Sequence, residues 1–165
     1  MSKIKTLIFF FIMVSPLIYN AAYVYGQFKV VAPFSYLSES VTRDEYIARF
    51  RPEHAAVLYI NGNLPEDALV SLIFLGNRGY YLDREYVYGE EELLRVGKVA
   101  ETPEEVLGGL RASGITHLLI FEPLLRKWVD DNFTGQTGLK FRQFFTNHTR
   151  LLFHENKFLV LALHH

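Results

Sequence analysis

Residues 6–25, TLIFFFIMVSPLIYNAAYVY, run for twenty positions without a charged side chain, and Lys3 and Lys5 stand just before them. A segment of this length and composition spans the roughly 30 Å hydrocarbon core of a bilayer as a helix. By the positive-inside rule the lysine-bearing end stays in the cytoplasm. Residues 27–165 are then expected in the periplasm or at the cell exterior, tethered to the inner (cytoplasmic) membrane by a single pass. A cleavable signal peptide is the alternative, with Val24 and Gly26 as the small residues before a cut at Gln27. The length of the apolar run favours an anchor, as do Tyr19, Tyr23 and Tyr25, which suit an interfacial aromatic belt. Pro16 is tolerated in a spanning helix. Either reading exports the domain.

The part beyond residue 26 has about 140 residues, enough for one domain with one core. Half the chain is apolar and 15% aromatic, which supports a dense core. The whole chain carries 17 Lys+Arg against 18 Asp+Glu; without Lys3 and Lys5 the exported part has 15 against 18, near −3. That balance lacks the basic face of a nucleic-acid partner. With no cysteine, disulfides, thiolate metal sites and cysteine nucleophiles are excluded.

Three segments follow: an anchor or signal at 1–26, a juxtamembrane connector at 27–41 and a soluble α/β domain at 42–165. Thr42-Arg-Asp-Glu45 is a capping box for a helix over residues 43–50. Pro52 opens a second helix, with Ala56, Val57, Tyr59 and Ile60 on its buried side, ending near Gly62. Leu69–Leu75 (LVSLIFL) and Ile115–Phe121 (ITHLLIF) are near-continuous apolar runs, as expected of adjacent parallel strands buried on both faces. Between them, Tyr80–Tyr88 is a short strand or extended loop, and Glu90–Arg95 is weakly helical. A capping box at Thr102-Pro-Glu-Glu105 starts a helix that Gly114 closes. Pro123 opens a helix to about Asn132, Gly135 and Gly138 mark a loop, and Leu139–Asn147 forms the last helix. Arg150–His154 and Phe158–Leu163 form a terminal hairpin. This order predicts a Rossmann-like three-layer mixed sheet with a C-terminal hairpin, preceded by one membrane helix.

Ligands of open α/β sheets sit beyond the carboxyl ends of the central strands. Here those ends carry Gly76-Asn77-Arg78-Gly79 and Glu122. The glycines let backbone approach a ligand, and Arg78 suits a two-point contact with an anion; the bland alternative is an internal pair of Arg78 with Asp83 or Glu122. Tyr80, Tyr81, Asp83 and Arg84 form a second cluster, equally suited to gripping a sugar or diphosphate and to packing a sheet edge. The ligand-binding candidates are therefore Arg78, Tyr80, Tyr81, Asp83, Arg84 and Glu122. The histidines His54, His117, His148 and His154 lack metal-ligand spacing. Ser71 and Ser113 lack the G-x-S-x-G elbow of a hydrolase, and no carboxylate pair is placed for acid–base work. No catalytic residue, metal or cofactor is expected.

The stretch YINGNLPEDALVSLIFLGNRGYYLDREYVYG, with SVTRDEYIARF upstream and LRASGITHLLI downstream, resembles the C-terminal extracytoplasmic domain of bacterial multi-spanning glycosyltransferases. These use polyprenyl-phosphate sugars, in the manner of dolichyl-phosphate-mannose protein mannosyltransferases. The matching positions are Arg43, Glu45 and Tyr46, Tyr59–Asn61, Leu64, Pro65, Asp67, Ala68, Gly76 and Arg78–Arg84, within roughly residues 20–122. Such enzymes carry their catalytic carboxylate in an early loop among many membrane spans, whereas this chain has one span and no such loop, and by resemblance corresponds to the final helix plus the soluble domain. The resemblance implies an accessory or binding module that transfers no sugar alone. Its implied partners are the membrane, a multi-spanning glycosyltransferase subunit, or a lipid-linked sugar. A small α/β enzyme or binding protein for a nucleotide or sugar phosphate, acting through Arg78, is the alternative.

Overall fold

The computed structural model describes residues 3–133 and 135–164. Met1 and Ser2 of the expected anchor, and Thr134 and His165 of the expected domain, lie outside the described residues. The chain divides into two compact units, Met1–Ile47 and Ala48–His165.

The first unit is dominated by α1 (Lys3–Val31), a 29-residue helix with no buried side chain, long and apolar enough to cross a membrane. At 1.5 Å per residue it measures about 43 Å. It continues past Gly26, where the connector was expected to begin, because nothing in Gln27–Val31 breaks a helix. The break comes at Ala32 (φ 45°), since the ring of Pro33 disfavours helical backbone in the residue before it. The expected connector therefore holds the last turn of α1 and a short helix, α2 (Pro33–Leu37). Within α1, Pro16 offers no N–H, and the Ser15 hydroxyl donates to the Phe11 carbonyl at 2.7 Å. α3 (Arg43–Phe50) starts as the capping box requires: Thr42 N–H donates to Glu45 Oε2 at 2.8 Å, and Glu45 N–H to Thr42 Oγ1 at 3.3 Å.

The second unit contains α4 (His54–Asn63), β1 (Leu69–Ile73), β2 (Glu85–Tyr88), α5 (Glu90–Val99), α6 (Pro103–Ala112) and β3 (His117–Phe121). It ends with α7 (Glu122–Asn132), α8 (Gly135–Asn147), β4 (Thr149–Glu155) and β5 (Phe158–Leu163). The strands form one mixed sheet in the order β2-β1-β3-β5-β4. β1 runs parallel to both β2 and β3, while β5 is antiparallel to β3 and β4. The two apolar runs are thus adjacent and parallel, with Leu72 opposite Leu119.

Alternation along the strands feeds two cores. Val70, Leu72, Leu119 and Val160 pack with Ala56, Val57 and Ile60 of α4. Ile73, Leu118, Ile120 and Leu161 pack with Leu93, Val96, Leu110, Phe141 and Phe144 of α5, α6 and α8. Helices therefore cover both faces, and the unit is α/β.

Local signals set the helix ends. Thr102 Oγ1 accepts from Glu105 N–H at 3.2 Å, but the Glu105 carboxylate takes the N–H of Glu101, at 2.7 Å, rather than that of Thr102. Gly114 ends α6 with φ +79°, where a side chain would be strained. β3 begins two residues later than Ile115, because the chain first crosses to β1 through the Thr116 N–H to Leu69 carbonyl bond of 3.0 Å. Two expectations need correction. Glu90–Val99 is a full helix rather than a weak one, since Leu93 and Val96 bury its inner side. Gly135 and Gly138 start α8 rather than mark a loop: a Cβ at Gly138 would lie 2.8 Å from the Phe133 carbonyl oxygen, so glycine lets the helix dock there.

Candidate functional site

β1 leaves the sheet through an unusual residue. Phe74 has φ 62°, a left-handed conformation that costs a non-glycine residue of order 1–3 kcal/mol. Its N–H donates to Glu90 Oε1 at 2.6 Å, and its ring lies 5.8 Å from that of Trp128. The chain then turns through Gly76–Gly79 and carries Arg78 towards α4.

There the structure corrects the expected pairing. Arg78 meets neither Asp83 nor Glu122; its Nη1 lies 3.4 Å from Oε2 of Glu53. The other oxygen of Glu53 lies 2.8 Å from Arg51 Nε. The Glu53 side chain is 2% exposed, whereas those of Arg51 and Arg78 are 34% and 45% exposed. One buried carboxylate thus orients two guanidiniums whose outer edges reach water. Arg51, Glu53 and Arg78 together leave one positive charge at the surface, and guanidinium is suited to planar anion recognition.

The aromatic residues continue the same surface. The Tyr81 ring meets buried His54 edge-on at 5.7 Å, and Tyr80, 83% exposed, sits edge-on to Tyr81 at 5.1 Å. Asn61 locks the segment in place. Its Nδ2 donates to the Tyr81 carbonyl at 2.8 Å and its Oδ1 accepts from the Asp83 N–H at 2.9 Å. Arg84 donates to the carbonyls of Asn61 (3.0 Å) and Leu64 (2.8 and 3.2 Å). A cation on the last carbonyls of α4 is the favourable end for positive charge, so Arg84 clamps α4 to the turn. The Asp83 carboxylate is exposed, with no hydrogen bond or ion pair among the described residues.

Glu122 stands apart. Its Oε1 accepts from Arg126 at 3.0 and 2.5 Å, and its Oε2 lies 3.7 Å from His154 Nε2. It lines a cleft of about 870 Å³ walled by α7, α8 and the β4–β5 hairpin. The structure therefore joins Tyr81, Asp83 and Arg84 through Asn61, adds Tyr80 by ring contact, ties Arg78 to Glu53, and leaves Glu122 with other partners.

Arg51, Glu53, His54 and Asn61 were missed in the sequence. The R-P-E-H run at 51–54 reads as an ordinary helix start, and only its distant partner gives it a role. Asn61 did carry a signal: it belongs to the Y-I-N motif of the resemblance, and its two amide bonds reach the Y-L-D-R motif at residues 81–84. The two motifs hold each other. No protein-family model, curated protein or solved structure matches this chain.

Proposed function

We propose that this chain is a membrane-anchored extracytoplasmic accessory or binding module. In this reading it is related to the soluble domain of a polyprenyl-linked-sugar glycosyltransferase. The observation that carries the reading is α1: a 29-residue apolar helix with no buried side chain, whose surface needs a solvent other than water. Lys3 and Lys5 at its head favour a cytoplasmic N-terminus and a periplasmic or external α/β domain. Helices on both faces of the mixed sheet support a Rossmann-like assignment, in which the crevice beyond the carboxyl ends of the parallel strands is the binding pole. Arg78 and Tyr80 lie on the turn that leaves the carboxyl end of β1, and Tyr81, Asp83 and Arg84 carry that turn back to the amino end of β2, where Asn61 and Leu64 hold it. A guanidinium for phosphate and tyrosine rings for a sugar face match a lipid-linked sugar phosphate presented at a membrane surface. Transfer chemistry then belongs to a multi-spanning partner.

The test has two arms. Reporters fused after His165 should be active only when the reporter requires export; cytoplasmic activity alone would overturn the topology. Full-length protein in nanodiscs doped with a polyprenyl-phosphate sugar should show saturable binding that Arg78→Ala weakens while the fold persists. Absence of binding by the unaltered protein removes the ligand assignment.

A further inference from the structure

A second cleft, of about 980 Å³, opens at the opposite end of the sheet, at the amino ends of β1 and β3. That volume is at the upper end of the range of small-molecule sites. Its floor is built by cross-strand register. His117 of β3 lies opposite Ala162 of β5, and Ala162 lies opposite Arg150 of β4. Directly opposed residues share a face of the sheet, so the three side chains form one row with a methyl group in the middle. Two strand spacings place the His117 and Arg150 backbones about 10 Å apart. Ala162 turns that interval into a slot with an imidazole on one side and a guanidinium on the other.

The charges lining this cleft are uncompensated. Neither Arg150 nor Arg111, which also lines it, has an ion pair or side-chain hydrogen bond among the described residues. Asp67 is the lining carboxylate, and it too has no ion pair among them; Tyr59 and His164 complete the titratable groups. The carbonyl ends of α4 and α6 at this pole are already occupied: Arg84 bonds those of Asn61 and Leu64, and the Gly114 N–H bonds that of Arg111. Thr116 Oγ1 lies 2.8 Å from His117 Nδ1, which leaves Nε2 as the ring nitrogen without a partner among the described residues. Burial and then the Arg150 charge hold the His117 imidazole below its ordinary value. The field of Arg150 therefore reaches across Ala162.

From this geometry we infer that the His117–Ala162–Arg150 slot is an oxyanion site for a phosphate monoester or phosphate head group, with Arg111 supplying charge at the mouth. Two guanidiniums and an imidazole offer donors from three directions, which suits a tetrahedral dianion better than a planar carboxylate. The site shares no residue with the Arg78 surface, so it stands or falls independently of the function proposed above.

Histidine NMR on the full chain in detergent micelles tests it, with inorganic phosphate as probe, ionic strength held constant with sodium chloride, and the His117 signal assigned by its loss in His117→Gln. Phosphate should shift the His117 signal saturably and raise its midpoint, leaving that of His154 unmoved. Arg150→Ala, a change at an exposed position, should raise the His117 midpoint without ligand and weaken phosphate binding roughly ten-fold or more, as expected for loss of a charge-assisted contact. Ala162→Leu should fill the slot and abolish the phosphate shift while His117 still titrates. The proposal is overturned by a non-saturable shift, by an unchanged phosphate response in Arg150→Ala, or by acetate acting as strongly as phosphate at equal concentration.

Discussion

Arg78→Met asks whether this arginine belongs to the fold or to a ligand. Glu53 is the buried member of its cluster, and it cannot return to water when a cation is removed; Arg51 and Arg78, 34% and 45% exposed, can. Removing a partner from a fully buried pair costs about 3–5 kcal/mol, while an exposed pair is worth about 0–1 kcal/mol. Arg78 lies between these limits: its contact is long, at 3.4 Å, and Arg51 remains at 2.8 Å to share the carboxylate. About 1–2 kcal/mol is the expected loss, or a fall in Tm of about 3–12 °C for a unit of this size. Glu53→Gln should cost less, since its two arginines rehydrate. In the Glu53→Gln background, Arg78→Met should then cost at least about 1 kcal/mol less than in the native protein, the sign of direct coupling. Thermal melts of the full chain in detergent, followed by Trp128 fluorescence, measure all four proteins. Trp128 is the sole tryptophan and packs edge-on against Phe133 and Phe141, so it reports unfolding of the α/β unit. Equal losses in both backgrounds would refute the reasoning, because Arg78 would then contribute nothing through Glu53.

Other regions make separate predictions. Arg95, and then the Ser113 hydroxyl, hydrogen-bond Glu92 and hold its carboxyl down to about 2. A depressed folded-state value stabilises the fold above the ordinary carboxylate range and loses that contribution as pH falls towards 2. The Tm advantage of the native protein over Glu92→Gln should therefore shrink between pH 4.5 and 2, as the same melts would show. Lys140 is 7% exposed and donates to the carbonyls of Gly97, at 3.0 Å, and Ala100. Lys140→Met keeps the apolar stem but strips the donor from the end of α5, which should cost about 2–4 kcal/mol and speed amide exchange in the last turn of α5. A loss under about 0.5 kcal/mol would show that water takes over those carbonyls.

Some elements were legible because their signals are local. The apolar run at 6–25, the Thr42 and Thr102 caps, Gly114 and the two apolar strands each draw on neighbours within a few residues, so short-range sterics and desolvation decide them. Even there, boundaries moved where a longer contact intervened: β3 starts at His117 because Thr116 is tied to Leu69, and α8 begins at Gly135 because Gly138 docks against Phe133. The turn at 76–84 was recognisable as a polar-aromatic cluster, but the partners of its arginines were not. Arg78 lies 25 residues from Glu53, and Arg84 lies 20 or more from the carbonyls it clamps.

The sequence by itself determined that one segment is long and apolar enough to cross a membrane and that the rest folds as α/β around two hydrophobic strands. Both follow from the free energy of removing apolar side chains from water, which depends on composition and periodicity. Only the tertiary structure decided which charges meet: Glu53 between Arg51 and Arg78, Glu122 with Arg126 and His154, and His117 facing Arg150 across Ala162. Those meetings depend on strand order and register, including the irregularity between Leu151 and Phe153 in β4. A one-residue slip would turn each side chain to the opposite face, and the choice of register is made by the whole sheet.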